Sequence, residues 1–440
     1  MSIAVRRHSV YALKGAKRRA QKGQSLVIGL GLLAFLCFVG YYLLFLSNTA
    51  RQRIRLNTIA DNAAYSAAVA QARLLNYLSF LNRAYVAHHV ASAHLHTLAS
   101  WTDFAYTQRQ QSQRRNPPAS LIGGFFGPQY GLAYSQSTQV AALGSQAAAR
   151  RTLYEAAAQH AQFTNQHFPR VQQAVLRALQ TYPVSVAQAV LNHSVDPQEI
   201  DHYQLDVTFN SLTEDNVAWV PKAGWAADWI RATTQGYQFL KPRNQTVRSL
   251  LPVSHRCPHL RHQLRRRGET TLDNSSGWAS ADTLSFHALR SNRWIGCYYR
   301  EYSQGWAWVT DTQRFQHIDN PVDAPPDDFA DQDFWRWVEE ATQWNLLADH
   351  ANPLAASYAR RQKQKLPSSL LQPMLSLKNT EPSWQSSVSL TQRTSQLAIQ
   401  TQATGEAFFW PPHHQRQQAS LVNPYWQARL VTGAFSRSRP

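Results

Sequence analysis

The hydropathy of the chain changes abruptly at Ser25. Residues 25–47, SLVIGLGLLAFLCFVGYYLLFLS, are apolar without interruption and carry no charge. These 23 residues exceed the ~20 that an α-helix needs to cross a bilayer, and exceed the ~7–15 of a signal-peptide core. The run closes on Ser47-Asn48-Thr49-Ala50-Arg51, with no small-x-small step of the kind a signal peptidase cuts. A retained transmembrane helix over 25–47 is therefore predicted. Beyond it, Leu56, Ile59, Ala60, Ala63, Ala67, Ala70, Leu74, Leu78 and Leu81 recur at threes and fours, with no Pro or Gly. That spacing predicts an amphipathic extension helix over 48–115, either continuous with the span or joined to it at Ser47-Asn48-Thr49. Its apolar face has two possible destinations: the chain's own core or the helix of a partner.

The segment RRNPPASLIGGFFGPQYG (114–131) is rich in Pro and Gly and breaks the pattern. A helical region follows over 116–195, with one Ala-rich helix at roughly 135–180 interrupted near Pro169, and a shorter one at 185–193. Near residue 200 the period changes. YQLDVTFN (203–210) alternates as a strand, RCPHLRHQLRRRGETTLDNSSGWASADTLSFH reads as strands joined by turns, with Gly268 and Gly277 as punctuation, and SVSLTQRTSQLAIQTQATGEAFFWPP suggests late strands. NPVDAPPDDF (320–329) reads as a linker or helix lead-in and DQDFWRWVEEATQWNLL as a helix. The expected organisation is a basic tail (1–24), a span (25–47), the extension helix (48–115), the helical region (116–195) and a mixed α+β domain (196–440).

Charge orients this arrangement. The net charge is +18, and residues 1–55 hold ten Lys or Arg and no acid. Basic residues flanking an apolar span suit an anionic membrane surface better than nucleic acid. Seven of the ten precede the span, so the tail is predicted cytoplasmic and residues beyond ~48 periplasmic, in a bacterial inner membrane. Of three cysteines, Cys37 lies in the span. Cys257 and Cys297 are candidates for a disulfide in an exported domain or for two unrelated thiols.

Motifs for chemistry are sparse. G-x-S-x-G, the phosphate-binding G-x-x-x-x-G-K-[ST] and zinc-type Cys/His spacings do not occur, so neither an enzyme nor a cofactor is expected. His88, His89, His94 and His96 cluster but lack H-E-x-x-H. Asn82, His89, His96 and Asp103 fall at successive sevens, which places them on one slowly drifting helical stripe. Arg265, Arg266 and Arg267 suggest a solvated turn or a phosphate-facing patch.

KGQSLVIGL (22–30), followed by RLNTIADNAAYSAAVAQAR (55–73), resembles the start of Flp/Tad pilus-assembly proteins of the TadE/TadG-like family. Asp61, Ala63, Ala64, Ala67 and Ala68 match the small-residue pattern of its post-membrane helix. LNYLSFLNRA (75–84) and NPYWQARLV (423–431) are similar to a longer subgroup. The resemblance implies a single-pass membrane protein that assembles or anchors a type IVb-like pilus, in homo- or hetero-oligomers with other pilus-assembly membrane proteins. Ala63, Ala64, Ala67 and Ala68 are then candidate packing positions, and Asn76, Asn82 and Arg83 candidate polar contacts. Pilin-like members are cut after a Gly, with Glu five residues on. Gly23–Gln24 is the candidate bond here, but Ile28 stands at the acidic position, which favours the uncleaved anchor over a minor pilin. A competing expectation is a membrane-anchored cell-wall-binding protein or enzyme that uses the Trp-rich region 215–310, with Trp219 and Trp225, to stack on sugars.

Overall fold

The computed structural model describes residues 24–115, 117–136, 146–209, 217–220, 223–273, 277–292, 296–310, 364–367, 369–372, 374–377, 384–393, 398–412 and 418–431. The expected linker at 320–329 and helix at 331–347 lie outside the described residues, as do Gly23 and the basic tail.

One helix, α1 (Gln24–Gln113), runs for 90 residues, a length of about 135 Å. There is no joint at Ser47-Asn48-Thr49. Thr49 Oγ1 donates to the Phe45 carbonyl at 2.9 Å and Thr58 Oγ1 to the Ile54 carbonyl at 3.0 Å, so polar side chains fold back onto the helix they could have ended. The stretch of α1 long and apolar enough to cross a membrane is wholly unburied in the protein. From Leu56 onward the helix enters a core. The amphipathic expectation is too narrow here: buried positions surround most of its circumference, and only a thin stripe through Tyr65, Arg73, Tyr77, Phe80 and Ala87 is exposed.

The chain reverses at Pro117-Pro118 and two short helices, α2 (Ala119–Phe126) and α3 (Pro128–Gln136). Gly127 joins them at φ 110°, a left-handed value that glycine adopts without strain. Helix α4 (Gln146–Gln162), a π-turn (Phe163–His167) and α5 (Phe168–Ser194) then form one rod antiparallel to α1. Arg150 meets Asp103, Gln172 meets Asn82, Leu191 packs by Ile59 and Ala60, and Arg55 reaches the Ser194 carbonyl. The expected interruption near Pro169 is present as the π-turn just before it, which breaks the regular α-helix without ending the rod. Pro169 itself falls in the first turn of α5, where no N–H is required of it, and Pro183 is accommodated farther along.

Eleven described strands form three sheets. Strands β1 (Tyr203–Phe209), β9 (Trp384–Arg393), β10 (Ala398–Phe409) and β11 (Trp426–Val431) make an antiparallel sheet in the order β1-β9-β10-β11. Strands β2 (Val217–Val220) and β8 (Met374–Leu377) pair alone, with α6 (Ala223–Thr234) following β2. The third sheet runs β3 (Gln245–Arg248), β4 (Gln263–Asp273), β5 (Gly277–Asn292), β6 (Gly296–Thr310) and β7 (Gln364–Lys365). Gly268 sits inside β4 rather than at a turn, because Asp282 and Arg243 crowd the space a side chain would need. The expected α+β character is present, but the sheets do not form a core apart from the helices. The four-stranded sheet packs on the 56–82 stretch of α1 and the five-stranded sheet on the 97–108 stretch, so the ends of the chain share one interior with its beginning.

The tightest contact lies where β10 crosses α1. A Cβ on Gly405 would overlap the Ala64 carbonyl and come within 3.0 Å of the Ala68 methyl. Cys257 and Cys297 are bridged, with Cα atoms 6.2 Å apart, tying the loop before β4 to the β5–β6 end. We expect Gly405→Val to lower unfolding free energy by about 1–3 kcal/mol in urea titration, because the strand must move off the helix. A wild-type midpoint would remove this contact from the account of packing.

Candidate functional site

Residues expected to meet partners are turned inward. Ala63, Ala64, Ala67 and Ala68 are each 0% exposed. The first three pack against Ala187 and Leu191 of α5 and Val388, Leu390 and Ala403 of the four-stranded sheet, and Ala68 lies under Gly405. Their small size lets two backbones approach within one chain. Of the two destinations open to this face, these positions take the chain's own core. Asn76 and Asn82 are likewise intramolecular. The Asn76 amide pairs twice with the Trp426 backbone: Nδ2 donates to the carbonyl at 2.9 Å and Oδ1 accepts the N–H at 3.0 Å. Asn82 Nδ2 donates to the Leu421 carbonyl at 2.7 Å, and its Oδ1 accepts from Gln172 Nε2 at 3.1 Å. Arg83 is exposed.

The stripe at successive sevens becomes a buried polar seam. Asn82, His89 and His96 are 0% exposed and Asp103 is 1% exposed. Asp103 Oδ1 receives both Nε (2.9 Å) and Nη2 (2.6 Å) of Arg150 on α4. His96 donates Nδ1–H to the Ser92 carbonyl at 2.7 Å, and Ser92 meets Ser369 at 2.6 Å. Toward the five-stranded sheet, Thr97 meets Thr270 at 2.9 Å, Ser100 donates to Asp282 Oδ2 at 2.7 Å, and Thr107 donates to the Trp306 carbonyl at 2.6 Å. Asp282 is buried and held by both Nε and Nη2 of Arg243 at 2.9 Å. Arg266 adds a longer contact to Asp282 at 3.8 Å while its guanidinium lies 4.8 Å over the Phe104 ring. This explains the Arg run better than a phosphate patch does. Arg267 is also engaged, donating to the Gln245 carbonyl and Thr246 Oγ1.

His89 is the exception in the seam. Among the described residues neither ring nitrogen has a hydrogen-bond partner, and the ring sits edge-on to Tyr85 with centroids 4.6 Å apart. Burial first, and the neighbouring His88 second, hold its pKa down to about 3. His262 accepts the Leu289 N–H on Nδ1 at 2.7 Å, and burial followed by Arg290 holds it at about 4. Among the described residues no three His, Cys, Asp or Glu side chains gather as a metal group. Trp278, Trp306 and Trp308 of the Trp-rich region are buried, so they serve the core rather than a sugar-stacking face. The side chains of Trp219 and Trp225, and residues His413 and His414, lie outside the described residues.

Sequence reasoning missed Gln172, Arg150, Arg243 and Asp282. The seven-residue recurrence on α1 was the available signal for a buried seam, but it does not say which distant residue answers each position. Comparison of the chain with family models, with curated proteins and with solved structures finds no match.

Three outcomes follow from these contacts. Arg243→Met should cost about 3 kcal/mol of stability, since it strands the buried Asp282 carboxylate. His89→Leu should gain about 1 kcal/mol, since it removes two buried unpaired nitrogens; a loss in thermal unfolding would show that His89 has a partner in solution. His89 and His262 stay neutral in the folded chain but accept protons near pH 6.5 when unfolded. The unfolded state therefore binds more protons below that value, and stability should be full above about pH 6.5 and decline as pH falls toward 4. Urea midpoints at pH 7 and pH 5 check the sign.

Proposed function

We propose that the protein is a bitopic inner-membrane component of a Tad/Flp-type pilus-assembly machine, with a short cytoplasmic tail and a large periplasmic part, acting as a structural element rather than an enzyme. The observation that carries this reading is a junction. The two stretches that are similar to a longer subgroup of the family, 75–84 and 423–431, lie 350 residues apart in sequence at Asn76 and Trp426, yet they pair through both hydrogen bonds of one amide. A shared motif at the two ends of a chain has a physical reason when the ends fold as one unit. The apolar span also continues as the same helix into that unit, which suits an anchor that is kept rather than removed. Ile28 in place of the acid argues in the same direction, for an intact Gly23–Gln24 bond.

One surface open to partners is the exposed stripe of α1, through Tyr77, Phe80 and Arg83. A photoreactive amino acid at Tyr77 or Phe80 should crosslink to another membrane protein in cells making the full machine, while one at Ala64 should yield only internal products. Absence of any intermolecular product from the exposed positions would sink the assembly role. Intact mass of the purified chain should show residues 1–23 still attached; a chain starting at Gln24 would convert the reading to a minor pilin.

A further inference from the structure

The seam on α1 has a neighbour with a different character. His88, adjacent to the sealed His89, turns toward α4, where its Nδ1 lies 2.8 Å from Nδ1 of His160. Both residues are half-buried. The His88 ring is stacked on Phe163 at 3.9 Å and nearly parallel to it, 11° between planes, which fixes its orientation. His160 stands at 66° to it, three residues before the π-turn. Single π-turns inside α-helices are frequent at functional sites, because they re-aim side chains that regular helix would point elsewhere.

We propose that His88 and His160 form a two-histidine binding site for a divalent transition-metal ion of tetragonal preference, Cu(II) above all. The two nitrogens stand at hydrogen-bonding distance, near enough to become neighbouring ligands of one ion once the hydrogen between them has left. Metal–nitrogen bonds of about 2.0 Å spanning this gap subtend an angle of about 90°, the cis angle of a square-planar or tetragonal site. A tetrahedral ion such as Zn(II) needs nitrogens about 3.3 Å apart and fits less well. Burial disfavours the protonated form of both histidines, and His160 disfavours it further at His88. One ring now carries a hydrogen on Nδ1 and the other a lone pair. On metal binding that hydrogen moves to Nε2 of its own ring by exchange with solvent, both Nδ1 lone pairs face the ion, and no net proton is released. His89 is closed to an ion arriving from solvent, and no third histidine, cysteine or carboxylate completes the group among the described residues. Water fills the remaining positions. The ion would clip α1 to α4 across 72 residues of sequence, close to where the π-turn resets the helix.

The test uses the full chain in detergent, without a histidine tag. Cu(II) titration followed by electron paramagnetic resonance should reveal a site of one ion per chain with two equivalent nitrogen couplings. The melting temperature should rise on Cu(II) addition by more than with equimolar Zn(II). His88→Ala and His160→Gln should each abolish that signal and the shift. The glutamine variant keeps a hydrogen-bonding side chain beside His88, so loss of the signal in it cannot be ascribed to a collapsed α1–α4 contact when its circular dichroism is unchanged. Undiminished Cu(II) coupling in both variants would mean adventitious binding at other histidines and would overturn the site. Preference for Zn(II) at the same residues would overturn its geometry. Neither outcome bears on pilus assembly.

Discussion

The structure depends on one constraint: α1 must remain a single helix while serving as the interior of everything that follows it. Around its buried length the antiparallel rod of α4 and α5, the four-stranded sheet and the five-stranded sheet each claim a different side. A helix enclosed on most sides cannot be amphipathic in the ordinary sense. It needs small residues where backbones come closest, large apolar ones where they stand apart, and some means of holding its register along its axis. Ala63, Ala64, Ala67 and Ala68 meet the first need. Gly405 is the matching concession on the strand side, without which β10 could not lie against the helix.

Register is held by the polar seam. Apolar packing alone tolerates sliding by a turn, since one leucine resembles another. A buried amide or carboxylate does not, because misplacement leaves it desolvated and unpaired at a cost of about 1–3 kcal/mol for each group. Asn76 with Trp426, Asn82 with Gln172 and Leu421, Ser100 with Asp282, and Asp103 with Arg150 are therefore successive pins along the axis. Each joins α1 to a different later segment. Arg243, bidentate on Asp282, completes the most buried of them. Polar residues in this core set position more than they add stability, and among the described residues His89, with neither ring nitrogen hydrogen-bonded, is a place where that arrangement costs without a visible return.

The helical character of α1 along its length, the break after it, the change from helix to strand near residue 200, and β1, β9 and β10 were legible, because hydropathy periods and Pro-Gly punctuation are local; the continuity of α1 through Ser47-Asn48-Thr49 was one of two open readings. The continuation of the rod through Pro169 was not legible. A proline in the first turn of a helix and one that ends a helix look the same without the preceding π-turn. The destination of the alanine face was left open between self and partner, and sequence spacing cannot close it, since both require the same small residues. The seam at 82, 89, 96 and 103 was visible as a stripe, yet its burial depended on Gln172 and Arg150, whose relation to α1 exists only once the chain has reversed. The Trp-rich region was open to a core or a binding-face reading, the core being preferred, and the sheet places Trp278, Trp306 and Trp308 inside.

The uninterrupted passage from Phe45 to Leu56 has a geometric result. Between the apolar segment and the first buried residue lie eight or nine helical positions, with no glycine, no proline and no loop to absorb a twist. The azimuth of the folded body about the helix axis is thus set by counting. One residue added to that stretch would swing the whole body about 100° and raise it about 1.5 Å, whereas an insertion of seven would return it to nearly the same heading, about 10 Å farther out. The linker functions as an indexed shaft, and its length is an angular coordinate as much as a distance.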